Sequence, residues 1–358
     1  MMNSRERIWA AINHQPVDRV PTDIWATPEV WDMLKDKYGS EERAKAELHI
    51  DGIKDIRPDY IGPPIANCPE DAGVDFKVYY GIWGAGLKWM GHGTGRYLEQ
   101  TNYPYAWMES IKDLEKAQFP NLDWFDYVGM RKVAEKLHPD HVIISGYMAP
   151  VYMHNLLRGM EMSLMDPMLE PEFTHLMLEK VCDYTYEYHR RIFETCEGLI
   201  DISQVTDDLG SQSGPMMSLG MYREFYAPHH KRFIGLCQEF GIKVFHHDDG
   251  SMREFLPDLI ESGIDILNPV QWSCPGMELN GLKKDFGRDV CFHGGIENQR
   301  ILPFGTPEEV RQEVRNCIDA LASDQTGYIL APCHNLQSIT PIENIVAMYD
   351  EAWNYGKF

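Results

Sequence analysis

The densest gathering of proton-exchanging and metal-ligating side chains in the chain is Phe245-His246-His247-Asp248-Asp249-Gly250. It follows the apolar rise Ile242-Lys243-Val244 and precedes an amphipathic run from Met252 to Ser262. Two imidazoles and two carboxylates therefore stand at the carboxyl end of a predicted strand, with a glycine to turn the chain. Alternation along an extended backbone sends His247 and Asp249 to one side and His246 and Asp248 to the other. With Cys333 or His334, which follow the last apolar run, His247 and Asp249 make a His/Asp/His or His/Asp/Cys set. Such a set suits a zinc ion held by three protein ligands with one position open to substrate. A metal-free cluster of hydrogen-bonded acids and bases accounts for the same residues equally well, and the spacing leaves both open.

Other polar groups recur at similar places. Asp207 and Asp208, just ahead of Gly210, offer adjacent carboxylates for acid–base work, for binding a hydroxyl or cation, or simply for decorating a loop. His293, ahead of Gly294-Gly295, completes the candidate catalytic residues, although a lone strand-end histidine is more often packed and hydrogen-bonded. Candidate substrate-binding residues are Asn268 and Gln271 after the next strand, and the aromatics Tyr79, Trp83 and Tyr147. Met160, Met162, Met165 and Met168 read as flexible core filler.

These clusters each need a strand to present them. Apolar or β-prone segments centred near residues 22, 57, 143, 202, 244, 266, 291 and 329 give eight candidate strands. Helical patterns separate the later ones, at Pro171 to Cys196, Met221 to Phe240, Met252 to Ser262, Thr306 to Ala322 and Pro341 to Tyr355. Earlier helices are predicted over Ser4 to Asn13, with Ser4 as the cap, Pro28 to Tyr38, Glu41 to Leu48 and Tyr127 to Leu137. Strand, polar cluster, helix, repeated, predicts an α/β fold of the (β/α)8 TIM-barrel type with its chemistry on the carboxyl face. An open doubly wound sheet is the alternative, and it lacks the Gly-x-Gly-x-x-Gly turn. Residues 1–358 are expected to form one domain, with 63–120 inserted as a lid or hairpin. In that insertion the aromatic run Asp75 to Gly84 reads as extended, among glycines at 84, 86, 91, 93 and 95.

A formal net charge of −22 argues against nucleic acid or an anionic membrane as partner. The eight cysteines form no CxxC pair, and no apolar run approaches the ~20 residues of a membrane span, so a soluble cytoplasmic protein with reduced thiols is expected.

Several segments resemble the uroporphyrinogen decarboxylase superfamily: Arg5-Glu6-Arg7 through Pro16-Val17-Asp18-Arg19-Val20-Pro21, the His-x-Asp-Gly segment at His247, Leu267-Asn268-Pro269, His293-Gly294-Gly295-Ile296, Leu302 to Val310, and Ala331-Pro332-Cys333-His334-Asn335 with Pro341-x-Glu343-Asn344. The resemblance covers nearly the whole chain and implies a (β/α)8 barrel. It also implies either a decarboxylase or a zinc-dependent, corrinoid-linked methyltransferase. The decarboxylases carry an arginine-rich segment after the Asp-Arg-x-Pro element, whereas no arginine occurs here between Arg19 and Arg43. The methyltransferase branch is more similar. Its thiol-methylating members place a His-x-Cys pair where this chain has His247 and Asp249, and a later cysteine where it has Cys333-His334. Replacing thiolate by carboxylate hardens the site toward oxygen. The expectation is an O-demethylating methyltransferase, with zinc as Lewis acid toward a methoxylated aromatic and the corrinoid of a partner protein as methyl acceptor. A metal-free decarboxylase, a methylcobalamin:thiol methyltransferase and a non-catalytic tetrapyrrole binder are the alternatives. A homo-oligomer is compatible with the sequence.

Overall fold

The structure, a computed structural model, describes residues 2–92 and 95–358. Among these, a seven-stranded parallel sheet runs in the same spatial as chain order: β1 (Ile53–Asp55), β2 (Val142–Met148), β3 (Ile202–Val205), β4 (Lys243–His247), β5 (Ile266–Asn268), β6 (Cys291–Ile296) and β7 (Tyr328–Pro332). Period-two alternation divides the strand side chains between two cores. Val142, Ile144, Ile202, Phe245, Ile266, Cys291 and Ile329 share one buried cluster with Ile8, Ala11 and Ile12 of the helix Ser4–Ile12. Side chains from six consecutive strands meet in one cluster only if the sheet curls around them, and the first helix plugs the hollow. The neighbours Ile143, Val205, Val244, Leu267, Phe292 and Leu330 face the other way, into a larger core shared with the surrounding helices. Each fully buried aliphatic or aromatic side chain contributes about 1.5–3 kcal/mol by leaving water.

The predicted strand near residue 22 is reduced to a parallel bridge between Thr22 and Leu330 of β7. The Thr22 carbonyl accepts from the amides of Asp51 and Gly52, just ahead of β1. The expected strand near residue 57 lies a few residues earlier, as β1, and Asp59–Tyr60 pairs antiparallel with Phe125–Asp126 instead. Helix boundaries elsewhere follow the sequence patterns closely; Thr306 caps Pro307–Leu321 through a reciprocal box with Glu309. The first helix is capped by Asn3, not Ser4, because Asn3 accepts from the Glu6 amide while Glu6 bonds back.

Two expectations are corrected. The aromatic run after residue 74 is largely the helix Val74–Gly81, and the hairpin comes later, Leu87–His92 against Gly95–Gln100. Tyr79, Tyr80 and Trp83 recur at helical spacing and turn together onto Tyr152 and Tyr184, so tertiary packing overrides their β propensity. Gly93 lies outside the described residues. The methionines of helix Met160–Leu169 are not core: Met160, Met165 and Met168 are exposed. No described helix is long and apolar enough to cross a membrane.

Candidate metal centre

Strand β4 delivers His247 as its last residue, and Asp249 follows two positions later on the same side. His334 arrives from across the sheet, two residues beyond the end of β7. One ligating atom from each of His247, Asp249 and His334 lies within 4.8 Å of the other two. His247 Nε2 stands 3.9 Å from an Asp249 carboxylate oxygen and 3.9 Å from Asp208. Tetrahedral zinc with bonds of about 2.0–2.1 Å needs ligand atoms roughly 3.4 Å apart.

The orientation of His247 is set by a buried relay. His247 Nδ1 lies 2.6 Å from Asn268 Oδ1, Asn268 Nδ2 lies 2.7 Å from His293 Nδ1, and His293 Nε2 lies 3.0 Å from Asp23 Oδ2. A carboxylate only accepts, so His293 Nε2 donates and its Nδ1 accepts from the Asn268 amide. The Asn268 oxygen then accepts from His247 Nδ1–H, and the lone pair of His247 Nε2 is left facing the cleft. This is the tautomer that a metal-binding histidine requires, supported as such histidines usually are by a hydrogen bond behind the ring. Asp23 is held in turn by the Ile53 amide at 3.1 Å, and Trp25 packs 5.7 Å from His247 and 5.8 Å from His293.

His246 and Asp248 point into the protein. His246 Nδ1 donates to the Val205 carbonyl, and Asp248 accepts from the Leu209 and Gly210 amides at 2.9 and 3.1 Å. Their remaining polar atoms face each other at 3.5 Å. Burial holds the Asp248 carboxyl well above its usual range and drives His246 down to about 3. Asp248 thereby ties the 207–210 loop to the 248–250 loop. A side chain at Gly210 would strike the Asp249 carbonyl and one at Gly250, which has φ +84°, the Ser211 carbonyl, so glycine at both lets the loops touch.

That contact separates the two adjacent carboxylates. Asp208 accepts from the Asp249 amide at 3.2 Å and lines the cleft. Asp207 is buried, accepts from the amides of Val151 and Tyr152 at 3.0 and 2.7 Å, and pairs with His230 at 2.8 Å. It caps the helix Pro150–Arg158 and is not brought to the cleft. Burial pushes the Asp249 carboxyl up, while His247 and His334 draw it back. His334 is pushed down by burial and raised by Asp249.

The centre opens into a cleft of about 690 Å³. Asp208, Asp249 and His334 line it with the amides of Gln100, Asn155, Gln212, Gln271, Asn298, Gln299 and Gln337, and no lysine or arginine does so among the described residues. Gln271 also accepts from the Gly250 amide at 2.8 Å. From the far side the hairpin reaches in through Gln100, and Tyr97 donates to Gln337. Cys333 borders the cleft but stands outside the three-ligand group: its thiol donates to the Val270 carbonyl, and burial lifts it far above the usual thiol range. Asn268 and His293 are wholly buried in the relay. Tyr79, Trp83 and Tyr147 line a different cavity of about 220 Å³. Asp23, Trp25 and, Gln271 apart, the ring of neutral amides were not singled out from the sequence. Only the residue types of Val20 to Trp25, an acid and a tryptophan in a strand-like run, hinted at the first two.

The curled parallel sheet thus carries the His247, Asp249 and His334 group at its carboxyl end. The chain belongs to the uroporphyrinogen decarboxylase (URO-D) family, whose model matches residues 70–355. It is 27% identical over 203 residues to a methylated-thiol–coenzyme M methyltransferase of Methanosarcina mazei, covering 56% of this chain and 49% of that relative, about half its length. It is 20% identical to the methylcobamide:CoM methyltransferase MtbA of Methanosarcina acetivorans, with 98% of both chains covered. A uroporphyrinogen decarboxylase of Xanthomonas axonopodis is 23% identical over 91% of this chain and 90% of its own. Among solved structures, a methyltransferase from Methanosarcina mazei shares the fold with a TM-score of 0.71, at 20% identity and 99% coverage of both chains.

Proposed function

We propose that this chain is a zinc-dependent methyltransferase that moves a methyl group from a methoxylated, aromatic donor to the corrinoid of a partner protein. The observation that carries this reading is the convergence of His247, Asp249 and His334, with the Asp23–His293–Asn268 relay presenting His247 Nε2 to the cleft. Zinc held there supplies Lewis acidity toward the heteroatom that gives up the methyl group. Two imidazoles and a carboxylate, with the Cys333 thiol turned to Val270, make a hard donor set that favours oxygen over sulfur at that position. Asp208, beside His247 and open to the cleft, is positioned to carry a proton to the departing oxygen. Gln271 and its neighbouring amides orient a polar, uncharged partner by hydrogen bonding.

The methylcobamide:CoM relatives support a corrinoid partner. The cleft's lack of lysine and arginine among the described residues counts against decarboxylation of a polycarboxylate, which needs cations to hold it. The fold reading that accompanies this function is a (β/α)8 barrel in one domain, with Pro21 to Asp23 as the short strand between β7 and β1, and the Leu87–Gln100 hairpin as a wall or lid. A cytoplasmic location follows from the chemistry of a reduced corrinoid partner.

A second reading, methyl transfer to or from a thiol, is favoured by the coenzyme M relatives. The two separate in one experiment. The zinc-loaded protein, a reduced corrinoid protein and either 2-methoxyphenol or a methylated thiol are incubated, and the demethylated product is measured. Catechol formation from 2-methoxyphenol is expected; product from the methylated thiol alone would establish the second reading instead.

A further inference from the structure

Among the described residues, side-chain amides reach the cleft from five strand ends. Asn155 stands beyond β2, Gln212 beyond β3, Gln271 beyond β5, Gln299 beyond β6 and Gln337 beyond β7, while β4 brings His247 and Asp249. The hairpin adds Gln100, and Asn298 stands beside Gln299.

What each amide has left for a guest follows from its present partners. Gln100 donates to the carbonyls of Asn102 and Leu156 at 2.8 and 2.7 Å, so its oxygen is left. Gln271 and Gln337 do the reverse, accepting from the Gly250 amide and the Tyr97 hydroxyl and keeping their N–H groups. Asn155 accepts from the Ser163 hydroxyl and keeps its N–H groups too. The side chains of Gln212, Asn298 and Gln299 have no hydrogen-bond partner among the described residues. The collar therefore offers both donors and acceptors, with no lysine or arginine among the described residues that line the cleft.

Such a collar is complementary to a ligand whose polar groups each donate and accept without charge. Hydroxyls and primary carboxamides both qualify. The walls decide between them, because Tyr103, Tyr152, Leu156, Met160 and Met216 give the cleft broad apolar surface that a polyol would leave unmatched. Its volume of about 690 Å³ falls within the ~300–1,000 Å³ of sites for drug-sized ligands and exceeds what one methoxylated ring fills. An apolar macrocycle fringed with carboxamide arms matches both features, and a corrin is such a macrocycle. A tetrapyrrole fringed with carboxylates would need arginine or lysine instead.

We infer that this amide collar is the receptor for the corrin of the partner protein and reads its carboxamide arms by hydrogen bonds. That the bound corrin accepts a methyl group rests on the methyl-transfer reading above, whereas its recognition by the collar does not. Equilibrium dialysis of the purified full chain against methylcobinamide tests the inference. The comparison is methylcobyrinic acid, the same macrocycle with free carboxylates on its arms. Both are measured in about 1 M salt, where the Debye length is about 3 Å and the chain's net charge of −22 is screened. Saturable one-to-one binding of methylcobinamide is expected, with the carboxylate analogue at least about 10-fold weaker because its charges would meet no cation. Gln212→Leu and Gln299→Leu alter exposed side chains that hold no other bond. Together they should weaken methylcobinamide binding about 10-fold, roughly threefold for each lost hydrogen bond, with circular dichroism unchanged. No saturable binding of methylcobinamide, equal binding of the two corrinoids, or indifference to the paired substitution overturns the inference. Methyl transfer to a corrinoid protein, measured in parallel, reports on the methyl-transfer reading separately. Amide-selective binding without turnover would sink that reading and keep the receptor, whereas turnover untouched by the paired substitution would overturn the receptor and keep the reading.

Discussion

Substituting Asn268 by leucine is the most informative perturbation of the relay. The side chain is wholly buried and joins two imidazoles through contacts of 2.6 and 2.7 Å. Leucine keeps the branching at Cγ, though it is bulkier, while His247 Nδ1–H loses its acceptor and His293 Nδ1 its donor. Each unpaired buried group costs about 1–3 kcal/mol, so unfolding free energy should fall by about 2–6 kcal/mol, toward the low end because His247 retains some access to water. The effect on metal is separate. Without the Asn268 oxygen, His247 is free to place its proton on Nε2 and to swing from the cleft, and loss of such support typically costs 10–100-fold in affinity. Asn268→Asp gives a sharper comparison. The new carboxylate still accepts from His247, and His293 responds by moving its proton to Nδ1 or binding a second one between this carboxylate and Asp23. Its zinc affinity should therefore lie closer to the unsubstituted chain than that of Asn268→Leu. Competition against a chelating dye measures affinity, and urea unfolding measures stability. If Asn268→Leu held zinc within about twofold of the unsubstituted chain, the relay would have no part in positioning His247.

Other outcomes follow from the same geometry. Asp207→Ala should destabilise by about 3–5 kcal/mol in urea, since it strands His230 and two helix-start amides. Asp208→Asn, at the open cleft, should stay within about 0.5 kcal/mol in stability yet slow methyl transfer. Glu313 is buried and donated to by Trp272, with Glu297 and Arg300 nearby, and burial raises it from 4.5 to about 7. Its raised folded pKa means that its contribution is full below about pH 4.5 and is lost as pH rises through 7, by up to about 3 kcal/mol. Thermal unfolding between pH 5 and 8 should therefore flatten in Glu313→Gln, and an unchanged slope would assign the pH dependence elsewhere.

The later half of the chain was legible because each strand is a short apolar run ending in polar residues, and each helix carries its own stop and start signals. The period of two also told His247 and Asp249 apart from His246 and Asp248 while they stood on or next to β4. That rule lapses where a strand has ended. Asp207 and Asp208 lie beyond Val205, and Cys333 and His334 beyond Pro332, so only the folded loops distinguish the member that faces the cleft. The aromatic helix Val74–Gly81 was unreadable for a different reason: its residues favour strands, and the tyrosines that it and Trp83 pack against lie up to about a hundred residues away. Residues Pro21 to Asp23 pair through so few bonds that no local pattern announces them, although Asp23 anchors the whole relay. The exposed methionines of Met160–Leu169 share the spacing of a buried face, and composition does not say which side of a helix meets water.

Elemental analysis of the purified chain and of His247→Ala tests the central claim most directly. One zinc per unsubstituted chain is expected, removable by a chelator, and its loss in His247→Ala with the circular dichroism spectrum intact, because His247 is partly open to solvent and contributes little to either core. Full zinc in His247→Ala, or a protein that demethylates its donor after zinc has been stripped, would contradict the account.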